Sequence, residues 1–380
     1  MCWIACCGAQ VDARDEAPLS PWYEEAPEFK EEPEQCDSLA VEAFQRLVAM
    51  VKGNVVFSPA SMEEMLTTLQ KASGEITYAE LATLPYGSPT VKSALPLQSV
   101  NALFADTSVT LAPGAEHAQR VPFSTAPGDA VKAINTWCKE NTNGKIATML
   151  QKQPETSALR LVALNAVHLS ASWLAPFTEG DTQKEYFRLP DGQGVGIPMM
   201  HQQESFHYAV GDDWQAIALI YRRNGRAGEP ACFIGILPRG DARAFISTLT
   251  PQKYNDIRRA LVRSERQLID LALPRFKMDG GALSLKPVLQ AMGVQQLFSG
   301  VADLRGLTPD SVMLDDIQQK IYIEIDENGT EAATVTTTLV PYWMLEESKK
   351  RIRFDRPFIW VIGDLTTEAP PYFMGLFENP

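Results

Sequence analysis

Residues 159–169 run almost without interruption through apolar side chains. A strand with one wet face alternates apolar and polar residues, whereas a strand covered on both faces has no reason to. The run therefore predicts a central strand with structure packed above and below it. Further strands are predicted at 215–221, 231–237, 267–274, 317–325 and 358–362. Helices frame them. Leu39, Phe44, Leu47, Val48 and Val51 recur at helical spacing over 38–51. A short strand then leads into Ser58-Pro59, where Ser58 or Ser61 can cap a helix carrying Met62, Met65, Leu66 and Leu69. Amphipathic patterns at 129–140, 241–262 and 284–298 predict three more helices. No internal repeat or linker interrupts the chain after residue 36, so a helix-rich first half and a strand-rich second half read as one mixed α+β domain, 37–380.

Composition supports a large core: of 380 residues, 45% are hydrophobic and 21% charged, which excludes wholesale disorder and coiled-coil architectures. A net charge of −13 would repel phosphate backbones, so nucleic acid is not an expected partner. No stretch is long and apolar enough to predict a spanning helix. Six cysteines, at 2, 6, 7, 36, 138 and 232, form no C-x-x-C pair, and neither a disulfide framework nor a structural metal is expected.

Residues 1–36 are of another kind. Acidic side chains from Asp12 to Glu34, mixed with four prolines, cannot bury enough surface to fold and predict a disordered tether. Ahead of it, Cys2, Cys6 and Cys7 sit in an apolar start too short for a secretory signal. Trp3-Ile4-Ala5 before Cys6 loosely resembles a bacterial lipobox, which would make an extracellular or envelope-displayed, lipid-anchored protein; the alternative is an unremarkable or misassigned start.

Catalytic signatures are absent. The sequence holds no G-x-S-x-G, no phosphate loop, no G-x-G-x-x-G and no H-E-x-x-H, and an enzyme is not expected. Of the four histidines, at 117, 168, 201 and 207, His168 falls in the buried run and reads as a satisfied core residue. His201 and His207 flank a polar segment with no third metal ligand in view.

Near the C-terminus, residues 330–340 are small and β-branched without a proline, which suits a strand. Alternate residues Thr330, Ala332, Thr334, Thr336 and Thr338 make one uncharged face, and Glu331 falls on the other. An uncharged face can enter a core, where a buried unpaired charge would cost several kcal/mol. The residues alone leave two readings open, a strand able to enter a sheet or a surface hairpin.

At this point the sequence resembles the serpin family. Matching blocks begin with Asn54-Val55-Val56-Phe57-Ser58-Pro59-Ala60-Ser61 and Asn143-Gly144-Lys145-Ile146. They continue through Leu164-Asn165-Ala166-Val167 with Trp173, Leu273-Pro274-Arg275-Phe276 and Met292-Gly293-Val294. Glu327-Asn328-Gly329-Thr330-Glu331-Ala332-Ala333, Arg356-Pro357-Phe358 and Phe373-Met374-Gly375 complete them. The resemblance, read as one to a bacterial inhibitory member, implies a metastable fold of three β-sheets with eight or nine α-helices and an exposed reactive-centre loop. It implies a suicide inhibitor: a serine protease, or a papain-like cysteine protease, cuts the loop and is trapped as the loop enters the main sheet. Glu327, Gly329, Thr330, Glu331, Ala332, Ala333 and Thr334 match the hinge. Ser58, Ser61, Asn165, Trp173 and Gln319 match the residues beneath and above the main sheet, with Gln319 where the family usually carries histidine.

Counting from Glu327, the scissile bond is expected between Trp343 and Met344. With Tyr342 and Leu345 beside them, these residues suit the deep apolar pocket of a chymotrypsin-like or elastase-like protease. Lys349, Lys350 and Arg351 lie too far along and read as a solvated return segment, or as a run that steers acidic proteases. Residues 74–101 are shorter than in vertebrate members, so no heparin and no other cofactor is expected, and the protein is expected to be a monomer. The alternative is a non-inhibitory relative acting as a protease substrate, carrier or chaperone.

Overall fold

The structure, a computed structural model, describes residues 38–86, 95–115, 117–151, 154–222, 231–279, 281–330, 350–366 and 369–380. The expected acidic tether, 1–36, lies outside the described residues.

In chain order the elements are α1 (Ser38–Met50), β1 (Val55–Phe57), α2 (Pro59–Lys71), α3 (Glu75–Leu81), β2 (Leu97–Asp106), β3 (Gln119–Val121), α4 (Pro127–Asn141), β4 (Leu161–Leu169) and β5 (Ala171–Ser172). Then come β6 (Gln183–Arg188), β7 (Gly194–Val210), β8 (Trp214–Ile220), β9 (Ala231–Pro238), α5 (Ala242–Ser247), α6 (Pro251–Arg263) and β10 (Arg266–Pro274). The last are β11 (Phe276–Met278), β12 (Leu283–Ser284), α7 (Lys286–Ala291), β13 (Asp316–Ile325), β14 (Gly329–Thr330), β15 (Lys350–Arg353), β16 (Phe358–Asp364) and β17 (Phe373–Phe377).

The apolar run is β4, buried at every position and set inside an eight-stranded sheet ordered β3-β2-β4-β13-β14-β5, with β11 and β12 also on β13. Its two faces do different work. Val162, Leu164 and Ala166 pack with Ala130, Ile134 and Cys138 of α4. Leu161 and Ala163 point the other way, into a core shared with α1 and α2, while Val167 and Leu169 meet the second sheet. Each of these valines and leucines contributes roughly 1.5–3 kcal/mol when fully buried, which is why the run can omit polar alternation. The same parity aims Asn165 at α2.

The second sheet has nine strands, ordered β1-β17-β16-β9-β8-β7-β10-β15, with β6 on β7. β7 is 17 residues long and pairs in turn with β6, β10 and β8. Two of the three expected sheets are thus one hydrogen-bonded network, joined through a strand they share. Seven α-helices are present among the described residues.

Local chemistry sets the boundaries. Ser58 caps α2, its Oγ accepting from Ser61 N at 3.3 Å, with Pro59 at the first helical position. The helix expected over 241–262 is broken in two: Thr250 Oγ1 caps Lys253 N at 3.1 Å and Pro251 starts α6, which a continuous helix could not tolerate. The helix expected over 284–298 stops at Ala291, and Gly293, with φ 102°, turns the chain away. In the basic return segment Lys350 and Arg351 are exposed, as a solvated run should be, but the segment is also a strand. Lys350 and Arg351 begin β15, an edge strand parallel to β10, and Arg351 Nε donates to Asp270 Oδ2 at 2.7 Å.

Candidate functional site

Along the middle of the main sheet, β4 and β13 are direct parallel neighbours, from Asp316 opposite Val162 to Tyr322 opposite His168. Polar residues gather at two places on this seam.

The first is its midpoint, where Gln319 lies opposite Asn165 and Asn165 lies opposite Asn101 of β2. Gln319 Nε2 donates to Asn165 Oδ1 at 2.8 Å and to the Ser58 carbonyl at 3.1 Å, while Gln319 Oε1 accepts from Ser58 N at 2.7 Å. Ser58 Oγ donates to Ser61 Oγ at 2.9 Å, and Ser61 Oγ shares a 2.9 Å bond with Ser99 Oγ. Asn165 Nδ2 donates to Ser99 Oγ at 3.3 Å and to Asn101 Oδ1 at 2.7 Å. The bonds form a closed ring through the start of α2 and strands β2, β4 and β13. Ser58, Ser61, Asn165 and Gln319 are all buried. Buried polar groups are stabilising only when they are fully paired, so the ring holds the two strands together as long as it stays complete.

The second cluster stands at the top of the seam. After β13 the chain turns back through Asp326: its Oδ1 accepts from Asn328 N at 2.8 Å and Gly329 N at 3.0 Å, and its N–H donates to the Gly329 carbonyl at 2.9 Å. Burial raises the Asp326 carboxyl above its usual value, against those two backbone donors, which favour the charge. β14 emerges antiparallel to both neighbours, with Thr330 opposite Ile325 on one side and Ala171 on the other. Gly329 has φ 153°, and a Cβ there would lie 2.1 Å from the Ala171 carbonyl oxygen, so only glycine fits.

Trp173 anchors this turn. Its Nε1 donates to the Asp326 carbonyl at 2.9 Å, its N–H donates to the Asn328 carbonyl at 2.9 Å, and its ring stacks on Tyr221 with centroids 4.6 Å apart. Tyr221 and Thr330 share a hydroxyl bond of 2.5 Å. Burial drives the Tyr221 phenol far above its usual range, so it stays neutral. Glu327 is buried; it accepts from Thr182 Oγ1 at 2.5 Å and from Arg275 Nη1 at 3.5 Å. The carboxylate is thus buried with a hydroxyl and a half-exposed guanidinium as partners, so its charge is paired rather than left alone.

The structure thus brings Ser58, Ser61, Asn165 and Gln319 into one ring and Trp173, Glu327, Gly329 and Thr330 into another cluster. Glu331, Ala332, Ala333, Thr334, Tyr342, Trp343, Met344 and Leu345 lie outside the described residues. Sequence reasoning missed Ser99 and Asn101 in the first cluster, and Tyr221, Thr182 and Asp326 in the second. A signal existed for the first pair, polar residues at alternate positions of a strand otherwise leading into buried residues, but β2 itself was not foreseen. His168 is buried and its Nε2 shares a 2.7 Å bond with Gln98 Oε1. His201 pairs with Glu185 at 3.0 Å and His207 with the Ser264 carbonyl at 2.9 Å, so the two histidines point to different partners.

The family model described as Serpin (serine protease inhibitor) matches residues 34–380. An uncharacterized serpin-like protein of Thermococcus kodakarensis is 31% identical over 363 residues, covering 86% of this chain and 81% of that protein. Among solved structures, the thermophilic serpin tengpin in its native state matches with a TM-score of 0.77 and 22% identity, covering 91% of this chain and 93% of that one. Uncleaved ovalbumin matches with a TM-score of 0.76 and 20% identity, over 91% of this chain and 99% of that one.

Proposed function

The chain belongs to the serpin family, a family of protease inhibitors rather than catalysts that also contains ovalbumin and thyroxine-binding globulin, and from that premise we propose that it is a covalent-trapping inhibitor of serine proteases. Insertion of a cleaved loop into a sheet is an established form of strand addition in this family. The observation that carries the reading for this chain is a match of registers. Thr330 faces Ile325 and Ala171, and three residues further down those strands stand Tyr322 and His168, which face each other. Continuing β14 by three residues sets Ala333 between Tyr322 and His168, and three more set Thr336 between Gln319 and Asn165. Both ladders that β14 has begun are in phase with the seam, so a strand can be inserted without a slip on either side.

The parity also agrees. Thr330 faces Tyr221 in the core, so Ala332, Thr334, Thr336 and Thr338 would face inward with it, and these are the uncharged residues. Thr336 would arrive at the Gln319 to Asn165 bond with a hydroxyl that can both donate and accept. About a dozen inserted residues at roughly 1 kcal/mol net per hydrogen bond would release on the order of 10 kcal/mol, comparable to the folding stability of a protease domain. The closed state is then kinetically trapped.

The target is a chymotrypsin-like or elastase-like protease that cuts this chain between Trp343 and Met344, and the inhibitor acts as a monomer. Incubation with chymotrypsin tests this: a complex that survives SDS, with a released peptide beginning at Met344, is the expected result. Cleaved product alone would place the chain with the family members that are substrates or carriers.

A further inference from the structure

β7 and β8 pair only from His207 opposite Ala218 to Val210 opposite Gln215. Beyond His207 they part: Glu204, Ser205 and Phe206 pair with β10, while Leu219 and Ile220 pair with β9. The segment that follows β4 enters the fork. Leu174 N donates to the Ile220 carbonyl at 2.8 Å, Trp173 bridges to Tyr221, and Gln202 Nε2 donates to the Ala175 and Pro176 carbonyls at 3.1 and 3.0 Å. Three backbone segments therefore border an open-sided cavity of about 220 Å³. At the fork each strand is paired along its far edge, β7 with β10 and β8 with β9, which holds the two walls apart.

Chemically the cavity is two-sided. Trp173, Phe206, Ala218 and Leu219, all buried, supply apolar walls, and Glu204, His207 and Arg266 stand among the polar lining residues. Arg266 Nη2 donates to the Ser205 carbonyl at 2.5 Å, which fixes the guanidinium at the fork. Burial first, and the Arg266 charge after it, hold His207 below its usual value against its hydrogen bond to the Ser264 carbonyl, so at neutral pH Arg266 is the lining cation. Glu204 Oε1 accepts from Ser205 N at 2.6 Å. Glu204 repels any anion beside it, so an acid group fits only against Arg266, and a ligand carrying two is disfavoured.

We propose that this fork is a binding site for a small aromatic monocarboxylate, its ring against Trp173 and Phe206 and its acid group on Arg266. Guanidinium presents paired donors to a carboxylate, and aromatic walls favour a flat ring. The volume admits one or two fused rings, smaller than a drug-sized ligand. One wall is Trp173, the residue whose ring and N–H hold the turn ahead of β14, so an occupant would brace that turn in the closed state. Binding itself does not rest on the inhibitory reading.

Titration of the full chain with 2-naphthoate, 2-naphthol and 2-naphthylamine by calorimetry tests the site. Saturable binding of 2-naphthoate with Kd on the order of 0.1 mM is expected from the ligand's size. It should exceed the other two by about tenfold, the share a single charge-assisted contact supplies. Arg266→Gln should erase that preference and Arg266→Lys should keep part of it. Bound 2-naphthoate should also slow amide exchange at Trp173 and Phe177, which donate to the Asn328 and Glu327 carbonyls. No saturation by 2-naphthoate, or equal binding of all three compounds to the unaltered chain, would overturn the proposal, and neither result depends on how the variants fold.

Discussion

Gln319 and Asn165 face each other at the midpoint of the β4–β13 seam, and the Gln319 amide donates across it at 2.8 Å. The bond is a latch, because the two strands cannot part without breaking it. Gln319 also answers both the N–H and the carbonyl of Ser58, so one side chain ties the seam to the start of α2. Glutamine can do this where the family usually has histidine because its amide donates and accepts at once without titrating.

Gln319→Ala should therefore be costly. It leaves the Ser58 N–H and the Asn165 carbonyl oxygen buried without partners, at about 1–3 kcal/mol each. Thermal unfolding of the uncleaved protein should fall by several degrees, and its half-life at elevated temperature should shorten as the seam opens more often. An unchanged melting temperature would mean the ring does not hold the sheet.

Gly329→Ala attacks the other cluster. The added methyl would meet the Ala171 carbonyl oxygen at 2.1 Å, a backbone atom that no rotamer change can move. With the backbone strain added, about 1–3 kcal/mol is expected. The turn should detach from β5 rather than distort it, seen as faster amide exchange at Trp173 and Phe177. Cleavage should continue, with a larger share of molecules ending as cut product.

Much of this architecture was legible in the residues. β4 announced itself because burial on both faces removes polar alternation, and α1, α2 and α4 because one apolar stripe is enough to define a helix. β2 and β7 did not. β7 passes between three partners, so its faces change environment along its length and no single period survives; its burial alternates between Met199–Met200 and a half-exposed stretch at 201–205. The polar ring followed the same rule. Ser58, Ser61, Asn165 and Gln319 could be picked out by their resemblance to family blocks, whereas Ser99 and Asn101 enter only through the register of β2 on β4. Lys350 and Arg351 misled for an opposite reason: on an edge strand, charged side chains are the normal protection of a free edge and say nothing against a strand.

Thr334→Arg tests the strand register directly. Continued from Thr330, the strand carries Thr334 to a point between Ile321 and Val167, both buried and on the core side. An arginine there would meet apolar walls with no counter-ion, at a cost of several kcal/mol. The uncleaved protein should keep its melting temperature, because β4 and β13 already pair directly with each other along the closed seam. After cleavage, the complex with chymotrypsin should give way to free protease and cut protein. Trapping at the unaltered rate would count against insertion in this register.

Acid should weaken the uncleaved protein in two separate steps. Burial lowers His168 and His207 below their usual 6.5, with Lys145 adding to it at His168, so the folded state keeps them neutral. Between those lowered values and 6.5 the unfolded chain binds more protons, so stability is full above about 6.5 and falls as pH drops below it. Asp106 behaves as a carboxylate held the other way. Burial opposes its charge, but Ser108 and Ser124 each donate through both backbone and hydroxyl, and the balance holds it at about 2 against a usual 3.8. Its contribution, about 2 kcal/mol, is present above 3.8 and lost as pH falls toward 2. Urea midpoints across this range should show both steps. Asp106→Asn should abolish the lower one, and His168→Gln should shrink the upper one while leaving the lower intact.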